Sequence, residues 1–285
     1  MPKLSLEPVA RASSAKCGHK FHDGIAEGSF KETFLIEDAR GNRLALKVLK
    51  PGASPERSDR EVDAMRRCSH PNIGTLMVLE EFDHAGQKHM YLIEEFMDGG
   101  TLEDRLKRGR MDRDETLALG ELLISAVAHI AEQRLVHRDL KPANIMFRKK
   151  GGEPVVVDFG IVRDLDKSSL TKTYLGMGPG TPFFAPPEQL NNEKNLIDWR
   201  ADQFALGVVL SLAHFGVHPY EEPGDDMGRI IGRVAGRKGP SAKFSADIVA
   251  SHFPVLEQMV ASWPVNRVRL PETLLESWKA QKGLK

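Results

Sequence analysis

The chain has 285 residues, of which 41% are hydrophobic, with 40 basic side chains against 40 acidic ones. That length supports one large domain or two lobes with real cores. The balanced charge excludes the global excess with which a protein engages nucleic acid or an anionic membrane surface. Two cysteines without a CxxC pair, Cys17 and Cys68, argue against a disulfide scaffold and fit a reducing, cytoplasmic setting. Cys17, His19 and His22 lie close in sequence but lack a second ligand pair, so they read as accidental rather than as a metal site.

Residues 1–20 are polar and aperiodic and are expected to form a loose lead-in, and Met1–Ala15 lacks the apolar core of a signal peptide. Gly24–Glu37 is a hairpin candidate, and Arg43–Leu49 alternates as a strand after the Gly41-Asn42 turn. Pro55–Cys68 carries Val62, Met65 and Arg66 at helical spacing. Leu76–Phe82 and Met90–Phe96 read as strands around a turn at His84–Gly86. Asp98-Gly99-Gly100 then breaks the pattern, which places a strand-rich lobe at 21–96 and a helix-rich one at 97–285. In the second lobe, helices are expected at Thr101–Arg108 and Arg113–Gln133, the latter with apolar faces from Leu117, Leu123, Val127 and Ile130. Pro154–Val157 is a short strand ending at Asp158. Residues 161–185 read as a long loop of a length that is usually functional. Ala201–Phe215, Val255–Trp263 and Pro271–Lys279 are expected helices, whereas Glu221–Ser241 shows no clear pattern. The longest apolar run, Phe204–Val217, has 14 residues and is too short to span a bilayer, so no membrane insertion is expected.

Residues 137–144 read His-Arg-Asp-Leu-Lys-Pro-Ala-Asn, and Asp158-Phe159-Gly160 follows. A candidate base (Asp139), a cation (Lys141) and a metal-binding amide (Asn144) fall within one short stretch, and the carboxylate of Asp158 comes 19 positions after Asp139. Phosphoryl transfer needs such a set: one group to orient the attacking hydroxyl, others to hold Mg²⁺ and offset phosphate charge.

With these motifs in order, the chain resembles a eukaryotic-type protein serine/threonine kinase catalytic domain from Phe21 to Trp278, with features of its bacterial members. The resemblance implies an α+β, two-lobed fold, with a small N-terminal antiparallel sheet plus one helix and a larger, mainly helical C-terminal lobe. It implies ATP and Mg²⁺ as cofactors. Lys47, in Leu44-Ala-Leu-Lys47, would meet the α- and β-phosphates and pair with Glu61. Asp139 would orient the substrate hydroxyl, Lys141 would contact the γ-phosphate, and Asn144 and Asp158 would hold Mg²⁺. Ile25, Thr33 and Ala45 would form the roof of the adenine site and Met146 its floor, with Glu95 to Met97 offering backbone groups to the adenine edge.

The phosphate loop departs from the family pattern. Of three glycines only the middle one, Gly28, survives in Ala26-Glu27-Gly28-Ser29-Phe30-Lys31. Glu94 stands at the gatekeeper position, where an apolar residue is more common, and a carboxylate there needs a partner. The resemblance further assigns Met65, Leu76, His137 and Phe159 to a stacked spine anchored by Asp202, and Glu188 and Arg267 to a buried ion pair.

Lys141, two residues after Asp139, and Gly180-Thr181-Pro182 imply protein substrates with serine or threonine acceptors. Arg138 implies control by phosphorylation of the activation loop, where Ser168, Ser169, Thr171, Thr173 and Tyr174 are acceptors and Thr171 or Thr173 is favoured. Autophosphorylation in trans would require a transient homodimer. No nucleic acid partner is expected, and the chain reads as a stand-alone cytoplasmic enzyme. Two alternatives stay open: a pseudokinase serving as a nucleotide-binding or scaffold module, and a small-molecule kinase of similar fold.

Overall fold

Short apolar segments between Lys20 and Glu95 pair into a sheet with two unlike faces. The computed structural model describes residues 5–28, 31–50, 66, 68–158 and 182–284. They fall into a first unit, up to residue 69 together with 74–98, and a second, 70–73 together with the residues from 99 onward.

In the first unit, β1 (Lys20–Glu27), β2 (Lys31–Glu37), β3 (Arg43–Leu49), β4 (Leu76–His84) and β5 (Gln87–Glu95) form one antiparallel sheet in the order β1-β2-β3-β5-β4. The β4–β5 hairpin turns through Ala85 and Gly86, both at positive φ (54° and 76°). Phe34, Ile36, Leu44, Leu46, Val48, Tyr91 and Ile93 point to one face and pack there with Leu6, Val9 and Ala10. The latter belong to, or lead into, helix α1 (Glu7–Lys16).

This helix stands where a loose lead-in was expected. Leu6, Val9, Ala10 and Ser13 recur at helical spacing and are buried. The hydroxyls of Ser13 and Ser14 donate back to the carbonyls of Ala10 (3.2 Å) and Arg11 (3.1 Å), which lets a polar-looking segment bury its inner side. The opposite face of the sheet carries Thr33, Ala45, Lys47, Leu92 and Glu94. The expected helix over Pro55–Cys68, and with it Glu61 and Met65, lies outside the described residues apart from Arg66 and Cys68.

The division between the units falls after Asp98 rather than after Phe96. Arg43 of β3 reaches Asp98 at 3.5 Å and lies 4.4 Å from the Phe96 ring centre, which ties these residues to the strands. Residues 70–73 join the second unit because Asn72 Nδ2 donates to the Pro154 carbonyl at 2.8 Å and Ile73 bridges Val156.

The second unit opens with α2 (Leu102–Leu106), capped by Thr101, and α3 (Arg113–Glu132), which starts with a reciprocal cap between Asp112 and Glu115. α3 packs against α5 (Trp199–Phe215) and α9 (Pro271–Ala280), and the approach to α9 is close enough to need glycine. A Cβ on Gly120 would stand 2.3 Å from the ring of Trp278, whose Nε1 donates to the Leu117 carbonyl at 3.0 Å. A two-stranded ribbon, β6 (Ile145–Phe147) and β7 (Pro154–Val156), follows α3. α4 (Pro187–Leu190) precedes α5. α6 (Met227–Ala235), α7 (Ala242–Ala250) and α8 (Pro254–Met259) precede α9. α6 lies in the Gly-rich, charged stretch that the sequence reading left unassigned, although Met227, Ile230, Ile231 and Val234 recur there at helical spacing. Of the expected loop at 161–185, all but 182–185 lies outside the described residues. No helix among the described residues is long and apolar enough to cross a membrane.

His218, just past α5, is fully buried. Its Nε2 donates to the Phe183 carbonyl at 3.0 Å, and its Nδ1 accepts the Tyr220 N–H at 3.1 Å, an arrangement that suits a neutral ring. Burial pushes its pKa down from 6.5 to about 3. Between those values the unfolded chain binds a proton that the folded chain does not, so stability falls as pH falls. The loss is about 2 kcal/mol between pH 6.5 and pH 5. Denaturant unfolding at both pH values should show that much less acid sensitivity in His218→Gln; equal sensitivity would contradict the assignment.

Candidate active site

In the second unit the loop between α3 and β6 carries the densest chemistry, and its backbone is held from beneath. Asp202, in the first turn of α5 and 1% exposed, accepts the N–H of His137 at 2.6 Å and that of Arg138 at 2.8 Å. The buried His137 spans the loop: Nε2 donates to the Val157 carbonyl (3.0 Å) and Nδ1 accepts the Asp139 N–H (3.2 Å). Arg138 takes a φ of 67°, and Gln189 of α4 donates to its carbonyl at 3.1 Å. A non-glycine residue in this left-handed region is strained, and here Asp202 and Gln189 hold it in place.

This scaffold presents Asp139 with its side chain one-fifth exposed. Its Oδ2 accepts from Lys141 Nζ (3.1 Å) and from Asn144 Nδ2 (3.1 Å), and its carbonyl accepts a second bond from the same Nδ2 (2.8 Å). Asn144 ends a 3₁₀ turn, Pro142–Asn144, and its carbonyl accepts the Val157 N–H at 3.0 Å. Ile145 pairs with Val156, so Asp158 leaves the ribbon close to Asn144. Asp158 is also left-handed, with a φ of 62°. Three expected site residues, Asp139, Lys141 and Asn144, are therefore joined by hydrogen bonds, and the fourth is one residue from a bond to Asn144. With its Nδ2 given to Asp139, Asn144 has an amide oxygen to offer; Asp158 has a carboxylate. Two hard oxygen donors suit Mg²⁺, which keeps waters and phosphate oxygens as its other ligands. Among the described residues no group of three or more His, Cys, Asp or Glu side chains forms a metal site of its own. Met146 lies in β6, opposite Val155 and bridged to Thr101.

The first unit holds the other charged centre. Lys47 on β3 and Glu94 on β5 form an ion pair, each residue 6% exposed. Ala45 is the cross-strand partner of Glu94, and Thr33 that of Lys47. The carboxylate that lacked a partner in the sequence thus finds one in the strand lysine. The partner expected for that lysine, Glu61, lies outside the described residues. Gly28 donates its N–H to the Lys31 carbonyl at 2.8 Å, closing the β1–β2 connection, and Ile25 is 45% exposed on β1. The N–H of Glu95 is taken by the Thr75 carbonyl at 3.1 Å, and Met97 is buried.

Residues 20–278 match the family model described as protein kinase domain. The chain belongs to the protein kinase family. It is 30% identical over 251 residues to a probable serine/threonine-protein kinase, MARK-C, of Dictyostelium discoideum, covering 87% of this chain and 30% of that protein. It is 28% identical over 273 residues to CBL-interacting serine/threonine-protein kinase 9 of Arabidopsis thaliana, covering 92% and 57% respectively. A third relative, serine/threonine-protein kinase pkn2 of Myxococcus xanthus, is 30% identical over 208 residues, covering 70% and 24%. The chain spans less than three-fifths of the length of each of these relatives.

In this kinase domain the lower scaffold contains the ion pair the resemblance implied. Arg267 donates to Glu188 at 2.6 and 3.0 Å, with both side chains fully buried. Leu76 is buried, while Met65 and Phe159 lie outside the described residues. Among the features of this kinase domain that sequence reasoning missed, two bear on the first unit. One is α1, which precedes the family match. The other is the contact between Lys47 and Glu94; its signal was one charge of each sign inside two otherwise apolar strands, Leu44–Leu49 and Met90–Ile93 with Glu94.

Proposed function

We propose that this kinase domain transfers the γ-phosphate of ATP to serine or threonine hydroxyls of proteins. The observation that carries the reading is the hydrogen-bonded group of Asp139, Lys141 and Asn144, set beside Asp158 on a loop held by Asp202. Phosphoryl transfer asks little covalent chemistry of a protein, so positioning and charge dominate. Asp139 orients the attacking hydroxyl and receives its proton; carboxylates are weak bases, so orientation is the larger contribution. Lys141 offsets charge on the γ-phosphate. Asn144 and Asp158 hold Mg²⁺, which neutralises phosphate charge when bound. Lys47 takes the α- and β-phosphates, with Glu61 as its helix partner. Ile25, Gly28, Thr33, Ala45, Glu95, Met97 and Met146 are assigned to the nucleotide.

The position of Lys141 and relatives named as serine/threonine kinases support the acceptor type. Arg138 supports autophosphorylation of Thr171 or Thr173 in trans, through a transient homodimer; both threonines lie outside the described residues. The free thiols of Cys17 and Cys68 suit a reducing, cytoplasmic setting. The pseudokinase alternative drew on the altered glycine loop and on Glu94, and Glu94 now has a cation beside it. Incubation with ATP and Mg²⁺ followed by phosphosite mapping tests the proposal. Phosphoserine or phosphothreonine, including Thr171 or Thr173, is expected; an unmodified chain that still binds ATP would turn the reading to the pseudokinase.

A further inference from the structure

The Lys47–Glu94 pair belongs wholly to the first unit and rests on two hydrogen-bonded strands. Register places Ala45 opposite Glu94 and Lys47 opposite Leu92, so the two charges are diagonal neighbours on one face. Both residues are nine-tenths buried or more, and the side chains register places beside them are Thr33, Ala45 and Leu92. A carboxylate or ammonium in such a place is stable only with an opposite charge beside it. The strands therefore fix where the lysine head lies, by a contact that does not involve residues 51–65, where Glu61 falls.

We propose that Glu94 is a positioning residue: from the sheet it holds the Lys47 ammonium in place for the nucleotide phosphates. Lysine carries its charge on a flexible four-carbon stem, and each rotor that binding must freeze weakens the ligand's affinity. A head fixed in advance removes that loss. An ammonium carries three donors, so one lysine head has the capacity to serve Glu94, Glu61 and a phosphate oxygen together. The gatekeeper carboxylate, a departure from the family pattern, becomes a second anchor for the family's lysine. This inference rests on the assignment of Lys47 to the nucleotide phosphates.

The test is calorimetric titration of ATP with Mg²⁺ into four proteins: wild type, Glu94→Gln, Lys47→Met and the double variant. Glu94→Gln is expected to weaken ATP binding about tenfold in the wild-type background. In the Lys47→Met background the same substitution should change Kd by less than about twofold, since nothing is left to position. Glu94→Asp, which keeps the charge on a shorter stem, should fall between Gln and wild type. If circular dichroism shows Glu94→Gln unfolded, Glu94→Asp is carried through both backgrounds under the same criterion. Equal weakening in both backgrounds would show that Glu94 acts independently of the lysine and overturn the inference. Unchanged or tighter binding in Glu94→Gln would also overturn it, because the carboxylate would then be idle or would compete with phosphate. If Lys47→Met alone binds ATP as tightly as wild type, the assignment of Lys47 fails, and the inference with it.

Discussion

Replacing Asp139 with asparagine is expected to slow phosphate transfer by about 10²- to 10⁴-fold at saturating ATP, the range over which a positioned proton acceptor contributes. Asparagine keeps the shape of the side chain but removes the carboxylate. Oδ2 of that carboxylate is the shared acceptor for Lys141 Nζ and Asn144 Nδ2, both at 3.1 Å, so the substitution also loosens the two neighbours from their common anchor. The backbone is held by other groups: the His137 and Arg138 amides by Asp202, the Asp139 amide by His137, and the Asp139 carbonyl by Asn144 at 2.8 Å. Stability and ATP affinity should therefore change little while the single-turnover rate collapses. A rate within tenfold of wild type would remove Asp139 from the reaction.

Arg267→Ala is expected to cost about 3–5 kcal/mol of stability, read as a shift in the denaturation midpoint, because it leaves the Glu188 carboxylate buried without a cation. The guanidinium makes two bonds to Glu188, at 2.6 and 3.0 Å. It also donates to the carbonyls of Arg200 at 2.9 Å and Ala261 at 2.8 Å, and stands 4.8 Å from the Phe204 ring centre. Removing it strands acceptors on α4, on α5 and in the segment after α8 at once. The attraction between two buried charges is largely offset by their desolvation, so the double variant Glu188→Leu with Arg267→Met should recover at least half of the loss. A shift below about 1 kcal/mol in Arg267→Ala would mean that the site is wetter than its burial indicates.

Much of this was readable in advance, for identifiable reasons. A short apolar run bounded by a turn, such as Arg43–Leu49 after Gly41-Asn42, declares a buried strand; helices with several apolar positions per turn, such as α3 and α5, declare their inner faces. The loop chemistry was readable because Asp139, Lys141 and Asn144 are neighbours in sequence, so local geometry alone brings them together. Most of what stayed hidden depended on contacts distant in sequence or on burial of polar-looking residues. α1 buries small and hydroxyl-bearing residues, Ala10, Ser13 and Ser14, which read as polar until their hydroxyls turn back on the helix. α6 was overlooked for another reason: Met227, Ile230, Ile231 and Val234 stand at helical spacing, but the glycines and charges around them obscured it. The partner of Glu94 sits 47 residues away, and only the β3–β5 register reveals it.

The measurement closest to the central claim is transfer of labelled phosphate from γ-labelled ATP to protein, with wild type and Asp158→Ala side by side and a chelator control. The account predicts acid-stable label on serine or threonine in the wild type, lost on chelation of Mg²⁺ and lost in Asp158→Ala. Equal labelling of the two proteins, or none in a wild type that binds ATP, would contradict it.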